Sequence, residues 1–219
     1  MSNILVLQPI RPSNPPALRE RADALIERML AANPALSFDV RQDDSAVFVP
    51  AFPSLYMRHA TVRNYMLDRY LGPEHTHVLW IDSDLIDYPA DLPTQLMEVV
   101  GDTPTIAAPI ALLDTTKHTH KHRFYDIGGF IEKGNRARMY PPWFDQTGDV
   151  IELDGVGCCY LAPAALYHEG VRYRPPHTDY YVEHWSVMQE AKRRGYRIVA
   201  LTNVRAVHAW LPDYGMGAN

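Results

Sequence analysis

The chain has 219 residues, of which 47% are hydrophobic and 21% are charged, and its formal net charge is −5. This length fits one α/β domain, and the absence of low-complexity segments and internal repeats excludes a solenoid. The negative charge argues against a protein that binds nucleic acid over its whole surface, and no apolar run approaches the roughly 18 residues that a membrane span needs. We expect a single domain, residues 1–219, located in the cytoplasm.

Strands and helices alternate along the first half of the chain. The run NILVLQPI predicts a strand, and PALRERADALIERMLAAN has apolar residues at helical spacing. The strand LSFDVRQDDS and the amphipathic helix LYMRHATVRNYMLDRYLG follow, and the apolar run THVLWID is typical of a central parallel strand buried on both faces. The helix PADLPTQLMEVV and the strand TIAAPIALL come next. This alternation predicts a Rossmann-like, nucleotide-binding half over residues 1–110.

The pattern is looser in the second half of the chain. The segment GGFIEKGNRARMYPPWFDQTGDVIELDGVGCCYLA contains short strand-like pieces between turns, which indicates an antiparallel addition to the sheet. A helix, VEHWSVMQEAKRRG, and a strand, YRIVALTNVRAVHAW, complete the chain. We therefore expect residues 111–219 to form a mixed, partly antiparallel half.

Two aspartates, Asp82 and Asp84, end the third predicted strand. Open α/β sheets bind ligands at the carboxyl ends of their strands, so acids at that place mark a candidate site. Mg²⁺ and Mn²⁺ prefer oxygen ligands and commonly bridge one or two carboxylates to substrate phosphates. The motif Asp82-Ser83-Asp84 thus indicates a metal-diphosphate site, although a solvated pair of acids is the commoner origin of an isolated D-x-D.

Two later features are compatible with the same chemistry. In DGVGCCYL, the glycines Gly155 and Gly157 allow the backbone to approach a ligand or to turn tightly. In VRAVHAW, His208 lies near the end of the last strand, where it is either a half-buried histidine or a metal ligand. A histidine that joins aspartates and phosphate oxygens favours Mn²⁺ over Ca²⁺. The combination predicts a Mn²⁺ or Mg²⁺ site.

Four segments carry a family resemblance: RNYMLDRYLGPEHTHVLWIDSDLIDYP, FYDIGGF, ELDGVGCCYLAPAALYHEGVRYRPP and YYVEHWSVMQEAKRRGYRIVALTNVRAVH. In this order, from about Arg63 to His208, they resemble the alpha-mannosyltransferase subunits of the fungal Golgi mannan polymerase complex. The resemblance implies a GT-A fold and a hexosyltransferase that uses a nucleotide-diphosphate sugar and a divalent metal. It also implies that the configuration of the transferred sugar is retained.

The resemblance implies roles for the residues that match the family's donor site. Asp82 and Asp84 match its D-x-D motif, which holds the metal and the ribose and diphosphate of the donor. His208 matches the late histidine that completes the metal site. Arg63 and Asn64 match the Arg-Asn helix beneath the donor.

Acidic positions that face the sugar and the acceptor in the family are matched by Asp154 and Glu183, our candidate catalytic residues. In an inverting enzyme, one of them would act as a general base within hydrogen-bond reach of the acceptor hydroxyl, whereas a retaining enzyme would need no such base. Four further residues are expected to contact the donor: Pro9, Ile10, Gly155 and Gly157.

The sequence also departs from the family pattern. The family's amino-terminal membrane anchor and lumenal stem have no counterpart in this sequence, and GVGCCY replaces a more glycine-rich loop, so we expect a bacterial or viral relative. The basic segment from Lys117 to Arg138 contains His118, His120 and His122, and it also has no counterpart. This segment is either a solvated loop or a surface for an anionic acceptor, such as a glycan or a nucleic acid with hydroxymethylated bases.

Two other classes of protein remain possible on the sequence alone. A phosphohydrolase of the haloacid dehalogenase type also has a D-x-D at a strand end, although its motif usually lies near the amino terminus and continues with Thr or Val, whereas Leu85 follows here. A non-catalytic module that binds nucleotide sugars is the second alternative. A Rossmann dehydrogenase is disfavoured because no G-x-G-x-x-G follows the first strand.

Overall fold

The computed structural model describes residues 2–11, 13–44, 55–114, 129–136, 150–175 and 182–209. The strands are β1 Asn3–Pro9, β2 Ser37–Asp43, β3 His77–Ile81, β4 Leu85–Asp87, β5 Thr105–Leu113, β6 Ile131–Glu132, β7 Asn135–Arg136, β8 Val150–Glu152, β9 Cys159–Pro163 and β10 Arg197–His208. The helices are α1 Pro16–Ala32, α2 Leu55–Tyr70, α3 Leu92–Val100, α4 Ala164–His168 and α5 His184–Arg193.

Eight of the described strands form one sheet, which dominates the fold. Its order is β2-β1-β3-β9-β5-β10-β4, and β8 also pairs with β10. β1 is parallel to β2 and β3, and β5 is parallel to β10. β9 lies antiparallel between β3 and β5, and both β4 and β8 are antiparallel to β10. This confirms the predicted mixed α/β sheet.

One of the two neighbours of the third strand runs in a direction that the sequence did not predict. β3 is fully buried along its length and parallel to β1, as expected, but its other neighbour is the antiparallel strand β9. An apolar run reports that both faces of a strand are covered and carries no information about the direction of the neighbours. The strands of the first and second halves of the chain therefore share one sheet, and the division at residue 110 stays a prediction.

Both faces of the sheet are covered, and the strand periodicity divides the core into two clusters. In β1, Leu5 and Leu7 belong to one cluster, and Ile4 and Val6 belong to the other. Successive side chains of a strand point to opposite faces, so both sets are buried only when both faces are packed. Charged side chains are thereby disfavoured in the middle of the sheet, so we expect a functional site at the strand ends.

Some elements begin later than the sequence pattern indicates, or were not predicted at all. α3 begins at Leu92 because Pro89 lies in the preceding turn, where its carbonyl accepts from the N–H of Leu92. The short strand β4 and the helix α4 have too few residues to show a periodic pattern. In the described ranges, no helix combines the length and apolar character that a bilayer crossing requires.

Candidate functional site

The second aspartate of the D-x-D motif meets the late histidine. β4 follows Asp84 directly and pairs with the end of β10, where Leu85 lies opposite His208 and the register shifts by a bulge. This pairing places His208 Nε2 2.8 Å from Asp84 Oδ1, and the two side chains are only 1% and 7% exposed. Two of the three predicted metal ligands are thus in contact, 124 positions apart in the sequence numbering.

The hydrogen bonds of His208 define which ring nitrogen faces the site. Nδ1 lies 2.7 Å from the carbonyl oxygen of Ala209, so Nδ1 donates and Nε2 is directed at Asp84. Burial would lower the pKa of His208, but the charge of Asp84 outweighs it and raises the pKa. Conversely, burial would raise the pKa of Asp84, and His208 lowers it. A metal ion would bind the Nε2 lone pair in place of the proton, as is usual for a histidine whose other nitrogen donates to a carbonyl.

The first aspartate of the motif points to a different partner. Arg63 donates from Nη2 to Asp82 Oδ1 over 2.7 Å, and the N–H of Asp82 donates to the carbonyl of Cys158 over 2.9 Å. Burial raises the pKa of Asp82 and Arg63 opposes this, while the nearby charge of Asp84 raises it further. Across the described part of the chain, no group of three or more His, Cys, Asp or Glu side chains is arranged to hold a metal. A metal site that includes Asp82 stays a prediction.

Arg63 lies at the centre of a buried polar network. Its Nε donates to Glu183 Oε1 over 3.2 Å, and its guanidinium lies 4.9 Å from the ring of Trp80 and 5.8 Å from the ring of Tyr173. Burial would lower the pKa of Arg63, but the carboxylates of Asp82 and Glu183 raise it well above its usual value. Arg63 therefore stays charged, and its two ion pairs connect α2 to the D-x-D motif and to the residue before α5.

Glu183 is a buried carboxylate that faces several cationic or polar groups. Its oxygens lie 3.3 Å from His184 Nε2 and 3.7 Å from His59 Nδ1, and its side chain is 3% exposed. Burial would raise the pKa of Glu183, but His184, His59 and Arg63 together hold it well below its usual range. This candidate catalytic residue is thus ionised and enclosed.

His184 provides a test of this network through pH. Burial and the charge of Arg63 lower the pKa of His184 to about 3. The unfolded chain therefore takes up a proton below about pH 6.5 that the folded chain refuses, and stability must fall as the pH falls from that value towards 3, by up to about 1.4 kcal/mol per pH unit. We expect His184→Phe, which retains the aromatic contacts, to weaken this pH dependence. Denaturant unfolding between pH 6.5 and 4 measures the unfolding free energy as a function of pH. His168→Gln, which changes a histidine at the exposed end of α4, is the control. The same change of unfolding free energy with pH in the wild type and both variants would refute the prediction.

Asn64, predicted beneath the donor, has its amide occupied by the backbone. Its Nδ2 donates to the carbonyl of Tyr173 and its Oδ1 accepts from the N–H of Tyr173, both over 2.8 Å. The ring of Tyr173 in turn packs edge-on against Trp80 at 5.6 Å. Asn64 therefore positions Tyr173, whose ring lies beside Arg63 together with the ring of Trp80. We call these rings the aromatic wall. Sequence reasoning missed this wall, which also contains the buried hydroxyls of Tyr160 and Tyr167.

Asp154, the other catalytic candidate, is held by a hairpin and by α5. The N–H of Gly134 donates to Asp154 Oδ2 over 2.7 Å, and Lys192 forms an ion pair with Oδ1. Burial would raise the pKa of Asp154, but the Lys192 and Gly134 hydrogen bonds lower it. Asp154 is therefore ionised, and its side chain is 19% exposed.

The two glycines that follow Asp154 are both buried, and the close approach at Gly155 is to protein backbone. A Cβ at Gly155 would lie 3.0 Å from the carbonyl oxygen of Gly129 and 3.3 Å from Ile131 Cγ1. The N–H of Ile131 also donates to the carbonyl of Gly155 over 3.1 Å. Gly155 is thus needed for close packing against the backbone of Gly129 and forms a bridge to Ile131 rather than a tight turn. Its contact with the donor, like that of Gly157, stays a prediction.

Gly155→Ala is expected to lower the free energy of unfolding by about 1–3 kcal/mol, because backbone atoms cannot move away from the new methyl group. Gly72→Ala is the matched control, since its Cβ would meet only the carboxylate of Glu74, which is the end of a flexible side chain. Chemical denaturation of both variants measures the difference. A loss at Gly155 no larger than that at Gly72 would show that the backbone contact is unimportant.

The loop after β1 is linked to the D-x-D by contacts that the sequence did not predict. Pro9 and Ile10 are half-buried at the end of β1, where the N–H of Ile10 donates to Asp43 over 2.8 Å. Asn14 Nδ2 donates to Ser83 Oγ over 3.0 Å, and both residues are buried. The predicted nucleotide loop is thereby fixed against the middle residue of the motif.

The basic segment lies mostly beyond the described residues. Of the positions between Lys117 and Arg138, only 129–136 are described. The predictions that concern His118, His120 and His122 fall outside them. They remain open.

The mixed sheet, with Asp84 and His208 at its edge, belongs to a known class of fold. It is the GT-A fold, as similar crystal structures of glycosyltransferases show. GalNAc-T7 with UDP, GalNAc and Mn²⁺ has a TM-score of 0.52 and 11% identity, over 95% of this chain and 44% of that one. The catalytic domain of Drosophila β1,4-galactosyltransferase 7 with xylobiose has a TM-score of 0.57 and 10% identity, over 100% and 75%. A mutant of the same Drosophila enzyme, with manganese, UDP-Gal and xylobiose, has a TM-score of 0.56 and 9% identity, over 99% and 74%.

Sequence comparison finds similarity to one family. The Anp1 family model matches residues 57–142. The Mannan polymerase I complex VAN1 subunit of Saccharomyces cerevisiae is 25% identical over 180 residues, which cover 69% of this chain and 33% of that protein. The vanadate resistance protein of Candida albicans is also 25% identical over 180 residues, covering 69% and 40%. The matches confirm the expected resemblance, and the chain spans less than half the length of these relatives.

Proposed function

We propose that the protein is a metal-dependent glycosyltransferase that transfers a hexose from a nucleotide-diphosphate sugar to a hydroxyl acceptor. The observation that carries the proposal is the buried contact of 2.8 Å between His208 Nε2 and Asp84 Oδ1 at the edge of a GT-A sheet. The UDP, UDP-Gal and Mn²⁺ named for the structurally similar transferases support a nucleotide-sugar donor and a Mn²⁺ ion.

Asp84 and His208 would hold the metal. A carboxylate and an imidazole suit Mn²⁺, and the orientation of His208 by Ala209 leaves Nε2 directed into the site. When bound, the ion supplies a Lewis acid that stabilises negative charge on the departing diphosphate. Two protein ligands are sufficient, because such ions usually complete their coordination with substrate phosphates and water.

Asp82 and Arg63 would serve the donor. The side chain of Asp82 is 25% exposed, compared with 7% for Asp84, so Asp82 is the more accessible carboxylate for the ribose. Arg63 fixes its direction through the hydrogen bond of 2.7 Å. We assign further nucleotide contacts to Pro9 and Ile10, on the loop that Asn14 fixes against Ser83.

The states of the acidic candidates support a retaining reaction. A general base works best when its pKa lies near the operating pH. The carboxylate of Asp154 already accepts from the N–H of Gly134 and pairs with Lys192. Glu183 is 3% exposed and pairs with Arg63, and these contacts lower the pKa of both carboxylates. Neither carboxylate is therefore placed to take a proton from an acceptor hydroxyl. We propose that Asp154 orients the acceptor and that Glu183 holds Arg63 in place, which suits attack from the side of the leaving group.

The acceptor would be anionic. The basic segment from Lys117 to Arg138 supports this, as does its position directly after the strand that ends at Leu113. A glycan that bears phosphate or carboxylate groups is one candidate, and a nucleic acid with hydroxymethylated bases is the other. Phosphate contacts would make acceptor binding fall steeply with added salt.

Release of nucleoside diphosphate from a panel of nucleotide sugars with Mn²⁺ tests the proposal. We expect release from one donor, and its loss when Mn²⁺ is chelated. Release of phosphate from small phosphomonoesters would instead identify a hydrolase. If a nucleotide sugar raises the melting temperature but no diphosphate is released with any acceptor, the protein is a binding module and the enzymatic proposal fails.

A further inference from the structure

A cleft that is lined by none of the residues of the D-x-D edge lies between α5 and the segment that follows α4. Its volume is about 330 Å³, within the usual range of about 300–1,000 Å³ for small-molecule sites. One wall is residues 170–175, and the other is a single face of α5 that includes Trp185 and Gln189. Four arginines line this cleft: Arg172, Arg174, Arg193 and Arg194. We call it the arginine groove.

The arginine groove has more positive charge than its acids neutralise. Among the described residues that line it, Glu190 is the only acidic one. Arg194 donates from Nε to Glu190 Oε1 over 3.0 Å, and Arg193 lies 2.8 Å from Oε2. The hydrogen bond from Arg194 and the charges of Arg193, Arg194 and Arg174 lower the pKa of Glu190. Two arginines thus share one carboxylate within 3.0 Å, and Arg174 adds positive charge to the same groove.

Partners from outside the groove neutralise only part of the remaining charge. Arg172 pairs with Asp68 over 2.9 Å, and Arg194 also pairs with Glu169 over 2.9 Å. Arg174 is exposed, and the ion pairs recorded around the groove involve the other three arginines. A guanidinium presents its donors in a planar fork that matches phosphate and carboxylate groups. The groove is therefore suited to an oxyanion.

The groove also connects to the Arg63 network by short steps. Arg172 and Arg174 flank Tyr173, whose buried ring contacts Arg63. The N–H of Arg174 donates to Ser186 Oγ over 2.8 Å, and this hydroxyl donates to the carbonyl of Glu183 over 2.9 Å. The same two segments thus form the wall of the groove and the back of the proposed donor site.

We propose that the arginine groove binds an oxyanion-bearing glycan, with its phosphate or carboxylate on Arg174 and Arg193 and a sugar ring against Trp185. Trp185 lines the groove, and an indole contributes apolar area that suits a sugar ring. The role of the groove rests on the proposed glycosyltransferase function: it holds a charged unit of the acceptor away from the reacting hydroxyl. Its ligand binding does not require a donor.

Calorimetric titration without nucleotide sugar or metal tests the groove. The probes are a hexose 6-phosphate, a hexuronate, the neutral hexose and inorganic phosphate. We expect one of the charged sugars to bind at least tenfold more tightly than the neutral hexose, and which of the two binds identifies the anion. Arg174→Gln and Arg193→Gln should each weaken this binding about tenfold, and Trp185→Leu should weaken binding of the charged sugar but not of inorganic phosphate. Arg197→Gln, an exposed arginine of β10 outside the groove, is the matched control and should bind normally.

Several results would overturn the groove proposal. Equal binding of charged and neutral sugars, or undiminished binding in the Arg174 and Arg193 variants, excludes an oxyanion site. Inorganic phosphate that binds as tightly as the hexose 6-phosphate, or a short DNA that binds more tightly than either charged sugar, excludes a glycan. Thermal melting confirms that the variants are folded. Because no donor is present, failure of the diphosphate-release assay does not affect this result, and the two proposals fail separately.

Discussion

His208→Gln is expected to lower kcat/KM for metal-dependent transfer by about a hundredfold or more, because removal of one group that stabilises developing charge costs that much in comparable sites. Glutamine retains a polar side chain of similar reach but lacks the imidazole nitrogen that faces Asp84. Asp84→Asn should have an equal effect, because an amide is a weak ligand for a hard cation. Initial rates at limiting Mn²⁺ measure both.

The control for these variants is His168→Gln, which changes a histidine at the exposed end of α4. It should retain wild-type activity. Thermal melting separates a lost ligand from a lost fold, since His208 and Asp84 are both buried. If folded His208→Gln and Asp84→Asn both retain activity at limiting Mn²⁺, the metal lies elsewhere.

Arg63→Met is expected to lower the free energy of unfolding by about 3–5 kcal/mol, the usual loss when one partner of a buried ion pair is removed. Methionine fills similar space between Trp80 and Tyr173, but it leaves the carboxylates of Asp82 and Glu183 without their main cation. The effect should appear in urea denaturation as a lower midpoint at unchanged slope.

Arg69→Met on the same helix is the matched control. Arg69 also lies over two aromatic rings, those of Tyr65 and Tyr70, at 5.8 and 5.5 Å, but it is exposed. Solvent screens an exposed cation–π contact, so the loss should be much smaller than at Arg63. Addition of Glu183→Gln to Arg63→Met should recover part of the stability, because the two residues interact directly. Equal losses at Arg63 and Arg69, or strict additivity with Glu183→Gln, would contradict the buried network.

Local pattern was sufficient to predict the sheet and the acidic edge. The apolar run that ends at Ile81 predicted both the strand and the place where it ends. Charged residues are disfavoured inside a buried strand, so Asp82 had to follow its last residue. The helices α1 and α5 were visible for a similar reason, since one stripe of each is buried at helical spacing. These features depend on neighbours in sequence.

Contacts between distant segments were not visible in the pattern. The pairing of Leu85 with His208 depends on β4, a strand of three residues that has no periodicity of its own. Likewise, nothing near Arg63 in the sequence indicates that Glu183 is its partner, and only the resemblance marked both. The asparagine in the turn RPSNPP was a possible signal for Asn14, since Asn side chains often fix loops by hydrogen bonds.

Glycine and acid signals were ambiguous for a physical reason. A glycine marks a close approach but does not specify whether a ligand or the backbone of Gly129 is the neighbour. An acid marks charge but does not specify whether Lys192 already neutralises it, as at Asp154. Glycines and acids in the sequence therefore indicate where close contacts or charges occur. Only the fold shows whether such a residue supports the structure or is placed to contact substrate.

Anomalous diffraction at the manganese edge, from crystals soaked with Mn²⁺ and a nucleoside diphosphate, tests the central claim most directly. We predict one strong peak per chain within coordination distance of a carboxylate oxygen of Asp84 and Nε2 of His208, with diphosphate oxygens on the same ion. In crystals of Asp84→Asn the peak should be weak or absent. A bound nucleotide with its manganese at any other group of residues, or at this edge without contact to Asp84 and His208, would contradict the assignment.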